Sequence, residues 1–143
     1  MSSTQIQVLS NYFKIHSHSH SHPNHFLLND REIRQEGMIS KQNIENITGN
    51  PVKFYAFPGG DFSFRSIKIL AEIGYREFFT SVPLFFTRNL KYNGVTLNIH
   101  GRVEVFSPGF STIERYYSLS VISRRLLRHI LGFSNRYIIS RLK

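Results

Sequence analysis

Hydrophobic residues near the start of the chain recur at three- and four-residue intervals, which predicts a short amphipathic helix over residues 2–13. Ile6, Leu9 and Phe13 share one face of this helix. Serine and threonine, which are good N-terminal caps, stand at its first positions. A run of alternating histidine and serine follows directly, and it ends at Pro23.

A second, longer helix is predicted to begin near Asp30, because Asn29 and Glu32 have the spacing of a capping box. Gly49 is placed to end this helix, and Pro51 prevents its continuation. A glycine inside a helix costs about 1 kcal/mol relative to alanine, so Gly37 indicates close packing against a neighbouring element. The residues predicted to share the packing face are Ile33, Gly37, Ser40, Ile44 and Ile47.

The segment after Pro51 alternates between predicted strands and helices. Residues 52–57 are nearly all apolar and lie between two prolines, which predicts a buried strand of a parallel sheet. Residues 58–61 form a turn, residues 64–74 carry a helical pattern, and residues 75–81 form the next strand. This alternation is typical of α/β architecture. Chemistry in such folds lies at the C-terminal ends of strands. His22-Pro23 and Pro58-Gly59-Gly60 both occupy that position.

The pattern is less regular after Val82. Residues 95–100 and 102–106 are predicted to be the two strands of a hairpin, and residues 118–131 are predicted to form a helix. That helix belongs to a basic C-terminal segment, since no acid follows Glu114 and the formal net charge of the chain is +9. A basic amphipathic helix can lie on a membrane surface or dock its apolar face on a core, and docking is the preferred interpretation. A basic segment can also attract nucleic acid.

Composition limits the class of protein. Thirteen Phe and seven Tyr predict a packed core, and the absence of cysteine excludes disulfides and thiolate metal sites. The sequence as given has no secretory signal and no apolar run long enough to span a membrane, so localisation is left unassigned.

The histidine run is the strongest candidate for chemistry. If the run is extended, side chains alternate between two faces, so that the rings of His16, His18, His20 and His22 would lie on one side. Imidazole is the commonest protein ligand for zinc. The alternative is a solvated low-complexity patch that binds metal only adventitiously, and the residues alone favour neither interpretation.

Two motifs and the helix between them resemble the polysaccharide deacetylase family, the NodB-like carbohydrate esterases. Residues 18–23, His-Ser-His-Ser-His-Pro, fit the family's His-[Ser/Thr]-x-x-His motif. Residues 56–60, Ala-Phe-Pro-Gly-Gly, approximate its Arg-x-Pro-x-Gly motif, with Ala56 in place of arginine. Residues 71–76 resemble the family's Ala-x-x-Gly-Tyr entry into the next strand. The resemblance covers roughly residues 4–81.

The resemblance implies metal-assisted removal of N-acetyl groups from an N-acetylated polysaccharide. His18 and His22 would hold a divalent metal, commonly zinc, and Ser19 would support their loop. The Gly59 N–H would be the oxyanion donor, with Pro58 and Gly60 shaping the substrate-binding turn. His100 is the candidate catalytic acid, in the place of the family's late Leu-x-His motif.

One departure concerns the family's Asp-Asp motif, which supplies a base and a metal ligand. The chain has two aspartates, Asp30 and Asp61, and they are not adjacent. The expected fold is therefore α/β, a partial (β/α) barrel of the NodB-like deacetylase type that lacks the first strand. Residues 1–110 would form this domain and residues 111–143 a basic amphipathic helical segment. The open sheet edge would invite association with another chain.

Three functions follow from these features. The first is a polysaccharide deacetylase-type hydrolase. The second is a non-catalytic metal- or glycan-binding relative with the same scaffold. The third is a basic protein that contacts membranes or nucleic acid through its C-terminal helix; peripheral membrane contact is the more plausible form, and no nucleic-acid partner is expected.

Overall fold

The computed structural model describes residues 1–81 and 88–102, which form a mixed α/β layer structure. The second strand of the predicted hairpin, residues 102–106, lies outside these residues except for Arg102. The predicted helix at 118–131 and the predicted domain boundary at residue 110 also lie outside them. The described residues contain three α-helices, α1 (Ser3–Ser10), α2 (Asp30–Thr48) and α3 (Phe64–Glu72). They also contain four strands, β1 (Phe54–Ala56), β2 (Glu77–Thr80), β3 (Arg88–Tyr92) and β4 (Val95–Gly101).

The helices begin and end as their capping residues dictate. Asn29 and Glu32 form the predicted capping box, and Gly49 ends α2 in the left-handed conformation at φ 68°. Helix α1 is shorter than predicted, because its backbone leaves the helical pattern after Ser10. Helix α3 ends at Glu72, and Gly74 lies beyond it at φ 103°, a conformation that favours glycine.

The sheet has the strand order β1-β2-β4-β3. Strand β1 is parallel to β2, as predicted, and β2 is parallel to β4. A further parallel bridge joins Ser17 to Tyr55, so the histidine segment continues the sheet beyond β1. The histidine segment, β1 and β2 follow one another in the same direction across the sheet, so their right-handed connections through α2 and α3 lie on one face. This arrangement is the α/β architecture that the sequence predicts.

The pairing of residues 95–100 with residues 102–106 stays a prediction, because residues 103–106 lie outside the described part of the chain. Strand β4 pairs antiparallel with β3, which precedes it. The turn between them is Asn93-Gly94, with φ values of 48° and 76°. An Asn-Gly pair at positive φ is a strong signal for a two-residue hairpin, and its tight turn fixes which strand is the partner.

The core lies between the helices and one face of the sheet. Tyr55, Phe78 and Ile99 are aligned across three strands and are at most 5% exposed. Gly37 packs closely, as predicted: an added Cβ would approach Leu70 Cδ2 to 2.5 Å and Ile73 Cδ1 to 2.6 Å. The opposite face carries partly buried rings and polar groups, namely His16, Phe54, Glu77, Phe79, Asn98 and His100. Among the described residues, no helix is long and apolar enough to cross a membrane.

His25 is a buried titratable group within this core. It is 1% exposed, and its Nε2 forms a 2.8 Å hydrogen bond with the Tyr55 hydroxyl. Its ring also meets the Phe57 ring edge-on, at a centroid distance of 5.1 Å. Burial lowers the pKa of His25 from 6.5 to about 4, and the nearby charge of Glu36 opposes this shift only in part.

We expect this histidine to make the fold acid-sensitive. The unfolded chain takes up a proton below pH 6.5 while folded His25 stays neutral down to about pH 4, so stability falls as the pH is lowered through that interval. On going from pH 7.5 to 5.0, His25 should lower the free energy of unfolding by about 2 kcal/mol. This fall is measured by urea unfolding of the parent chain and of His25→Phe at both pH values. The pH-dependent difference should shrink by about this amount in the variant; an unchanged difference would contradict the assignment.

Candidate metal centre

His18 is held by the end of strand β1. Its Nδ1 lies 2.8 Å from the carbonyl oxygen of Ala56. A carbonyl can only accept a hydrogen bond, so Nδ1 must carry the proton and donate it. In the neutral ring, Nε2 is then deprotonated and presents a lone pair on an exposed side chain. Metal-binding histidines in proteins commonly have this tautomer, fixed by a carbonyl partner.

The loop after His18 turns sharply and returns His22 to the same place. Ser19 and His22 both have left-handed backbone conformations, with φ values of 69° and 60°. The His22 N–H donates to Ser19 Oγ at 3.0 Å, which closes the loop. As a result the rings of His18 and His22 lie with their centroids 5.0 Å apart, at an interplanar angle of 72°. Both side chains are exposed, so a cation in solvent can reach them.

The prediction that an extended run places four histidine rings on one face is wrong. The positive φ at Ser19 breaks the alternation immediately after His18. His16 lies one position before the bridged Ser17 and stacks on Phe54 at 4.1 Å. His20 is exposed on the loop, where its backbone N–H bonds to Glu36. Only His18 and His22 form a ring pair within this run.

Glu36 on helix α2 anchors the loop. Its carboxylate accepts hydrogen bonds from the backbone N–H groups of His20 and Ser21, each at 2.8 Å, and from Ser21 Oγ at 2.6 Å. Burial alone would raise the pKa of Glu36, but these hydrogen bonds lower it below the usual value. Sequence reasoning missed this residue. Its signal was a carboxylate one position before Gly37, on the part of α2 that packs closely.

The predicted substrate-binding turn, Pro58-Gly59-Gly60, begins two residues after Ala56, whose carbonyl accepts the hydrogen bond from His18. Pro58 and Gly60 are buried and Gly59 is exposed, so Gly59 lies on the open side of the turn. Gly59 and Gly60 have φ values of 63° and 72°. The Gly60 N–H donates to the Phe57 carbonyl at 2.8 Å, and the Gly60 carbonyl accepts from the Ser81 N–H at 3.3 Å. These bonds fix the turn against β2. The oxyanion role of Gly59 stays a prediction.

His100 lies away from the histidine pair. Its Nε2 pairs with a carboxylate oxygen of Glu77 at 2.7 Å, and its ring stacks on Phe79 with centroids 4.9 Å apart. Strands β1 and β2 separate β4 from the histidine segment, a distance across the sheet of about 14 Å at the usual strand spacing. The structure therefore does not bring His100 into contact with His18 and His22, and its catalytic role stays a prediction.

The donor chemistry of the pair suits a divalent metal in part. The His18 tautomer is the correct one, and two imidazoles form one side of a zinc coordination shell. Zinc sites have at least three protein ligands. Within residues 1–81 and 88–102, no group of three histidine, cysteine, aspartate or glutamate side chains has the arrangement of a metal site. The described residues thus bring together two candidate ligands, His18 and His22, without a third histidine, cysteine or carboxylate in the arrangement of a metal site.

The sequence profile of the polysaccharide deacetylase family matches residues 5–78. A search of the curated proteins finds no match. A CE4 family pseudoenzyme from Bacillus anthracis is 25% identical, with a TM-score of 0.52, over 56% of this chain and 29% of that chain. A polysaccharide deacetylase from Bacillus cereus is 26% identical, with a TM-score of 0.52, over 58% of this chain and 26% of that chain.

A third solved structure extends the likeness in fold. The Streptococcus pyogenes deacetylase PplD, in complex with acetate, has a TM-score of 0.59 and 16% identity over 72% of this chain and 45% of that chain. At this identity the likeness concerns the fold alone. The matched part of the chain spans less than half the length of each of these three structures.

The two glycines of the turn form a matched pair for mutation. Alanine at either position has an unfavourable positive φ, at a cost of about 1 kcal/mol. A Cβ at Gly60 would also collide with the side chain and backbone nitrogen of Ser81, whereas at Gly59 the nearest atom is Asp61 Oδ2 at 4.0 Å. We therefore expect Gly60→Ala to cost about 3 kcal/mol and Gly59→Ala about 1 kcal/mol in urea unfolding. Equal losses would contradict the packing of Gly60 on Ser81.

Proposed function

Because the chain belongs to the polysaccharide deacetylase family, we propose that it forms part of a metal-assisted amide hydrolase that removes N-acetyl groups from a sugar polymer. The observation that carries this proposal is the hydrogen bond from His18 Nδ1 to the Ala56 carbonyl. This bond leaves the other nitrogen of the His18 ring available to a metal, and the ring of His22 lies beside it. The bonded residue, Ala56, shortly precedes the exposed Gly59 in the chain. The identity of the metal, which we propose to be zinc, is part of the proposal.

Each residue of the site has a distinct task in this proposal. His18 and His22 would hold the ion through their ring nitrogens. Ser19 and Glu36 fix the loop between them, the first through the His22 N–H and the second through the His20 and Ser21 N–H groups. When bound, a divalent ion supplies Lewis-acid polarisation of an acetamide carbonyl. The Gly59 N–H would orient that carbonyl from the exposed side of the turn.

A second function on the same scaffold is favoured by the ligand count. The described residues contribute two imidazoles and no third ligand, and one similar structure is that of a pseudoenzyme. A chain that binds metal or glycan without hydrolysing a substrate would need no further ligand or catalytic carboxylate than these two imidazoles. The open edge at the histidine segment, which is bridged only on its β1 side in the described residues, would then offer a surface for another chain.

Metal binding by the pair is tested by titrating zinc into the full chain in a calorimeter. We expect one zinc per chain, lost in His18→Ala and in His22→Ala. Removing a residue that only supports a ligand costs about 10- to 100-fold in affinity, so removing a ligand should cost more. His20→Ala is the matched control, because its loop contact is through the backbone. An equal loss in all three variants would indicate an adventitious histidine patch.

Hydrolysis is tested separately by measuring acetate release from N-acetylglucosamine oligomers in the presence of zinc or cobalt. Release that His18→Ala abolishes and His20→Ala retains supports the hydrolase. Zinc binding without acetate release supports the non-catalytic alternative. Acetate release that is unchanged in His18→Ala and His22→Ala would refute the proposed site.

A further inference from the structure

A cavity lies at the opposite end of the sheet from the histidine pair. Its volume is about 420 Å³, within the range of small-molecule sites. Its walls are the end of α1, the segment entering the histidine run and the connection from α2 to β1. These are the N-terminal ends of the parallel elements, whereas His18 and the Pro58–Gly60 turn lie at their C-terminal ends. The cavity is therefore separate from the proposed metal site.

The charge of this cavity is positive. Lys14 and Lys53 both line it, and none of the lining residues is an aspartate or glutamate. Both lysine residues are exposed, and among the described residues neither is in an ion pair. Two unneutralised ammonium groups on one concave surface favour a negatively charged ligand.

The walls also carry aromatic rings that the core does not use. Tyr12 and Phe13 are 77% and 65% exposed, although both line the cavity. Phe54 forms part of the inner wall. Asparagine, serine and threonine residues also line the cavity, including Asn11 and Asn50. Aromatic faces next to amide and hydroxyl groups suit a ligand that has an apolar ring face and hydroxyl groups at its edge.

His16 provides a third and independent indication of a ligand. Its ring lines the cavity, and both Nδ1 and Nε2 are buried without a hydrogen-bond partner in the described part of the chain. Leaving such a group unsatisfied costs about 1–3 kcal/mol. A neutral imidazole has one hydrogen-bond donor and one acceptor. A ligand hydroxyl would supply the partner that one of these ring nitrogens lacks.

We propose that this cavity binds an anionic sugar residue, a pyranose ring that carries a carboxylate or a phosphate. Lys14 and Lys53 would hold the anionic group, Tyr12 and Phe13 would stack on the ring, and His16 would bond to a hydroxyl. This inference goes beyond the proposed function and does not depend on it, because it uses neither the histidine pair nor the glycine turn. It assigns the chain a second, non-catalytic contact with charged glycans.

The test uses the full chain and three sugars: glucuronic acid, glucose 6-phosphate and uncharged glucose. Binding is measured by calorimetry and by the NMR shifts of the His16 ring. We expect saturable binding of an anionic sugar, weakened about tenfold by Lys14→Gln combined with Lys53→Gln. The matched control combines Lys68→Gln with Lys91→Gln, which removes the same charge from lysines outside the cavity. This control should bind as the parent chain does.

The outcomes separate the sources of the anion. Tighter binding of glucuronic acid indicates a carboxylated glycan, and tighter binding of glucose 6-phosphate indicates a phosphorylated one. Equal weakening in the two double variants would show that net charge alone attracts the sugars, which overturns the proposal. Absence of saturable binding, or binding of glucose as tight as that of the anionic sugars, would overturn it as well.

Discussion

The hydrogen bond between His18 and the Ala56 carbonyl is the interaction on which the candidate site depends. It requires the histidine segment to lie parallel to β1, in the register set by the Ser17–Tyr55 bridge. The Ser17 N–H donates to the Phe54 carbonyl at 3.2 Å, and the Ala56 N–H donates to the Ser17 carbonyl at 2.9 Å. Since side chains in a strand alternate, a shift of one residue would turn His18 into the core and Ser17 out of it.

The buried polar contacts behind this segment make the register specific. Ser17 is 2% exposed, and its hydroxyl pairs with that of Ser40 on α2 at 2.7 Å. Ser17 Oγ also accepts from the Ser19 N–H at 3.3 Å, where the loop begins. An apolar residue in place of Ser17 would remove one hydrogen-bond partner of the buried Ser40 hydroxyl, beside the Tyr75 hydroxyl that also contacts it. Two residues of helix α2 thus hold the histidine segment. Ser40 bonds to Ser17 at its start, and Glu36 bonds to the backbone of the loop that follows.

Local signals predicted much of this arrangement. The capping box of α2, its closing glycine and the close approach at Gly37 follow from residue types whose conformational preferences are strong. The parallel strands followed from apolar runs between helices. The family resemblance, which the profile match confirms, singled out His18 and His22, and the structure places their rings together. Their proposed role as ligands comes from the family resemblance. It does not come from the extended run of four histidines, since the chain turns at Ser19.

The remaining features depend on contacts between distant residues. Period-two alternation predicted four histidine rings on one face. The backbone is instead left-handed at Ser19 and His22, and the Glu36 carboxylate and the Ser19 hydroxyl hold the loop in this conformation. No local sequence pattern encodes the contact with Glu36. The pairing of β3 with β4 has a local signal, the Asn93-Gly94 turn, which the predicted strands did not include. The pairing of His100 with Glu77 requires two parallel strands in register and could not be found from a single segment.

The tautomer of His18 tests the central claim most directly. Long-range ¹H–¹⁵N NMR of the metal-free chain at a pH where the ring is neutral distinguishes a protonated Nδ1 from a protonated Nε2. The structure predicts a proton on Nδ1, donated to the Ala56 carbonyl, and a deprotonated Nε2. A ring protonated on Nε2, or an even mixture of the two tautomers, would mean that the carbonyl does not hold His18. The preparation of this imidazole for a metal would then be refuted.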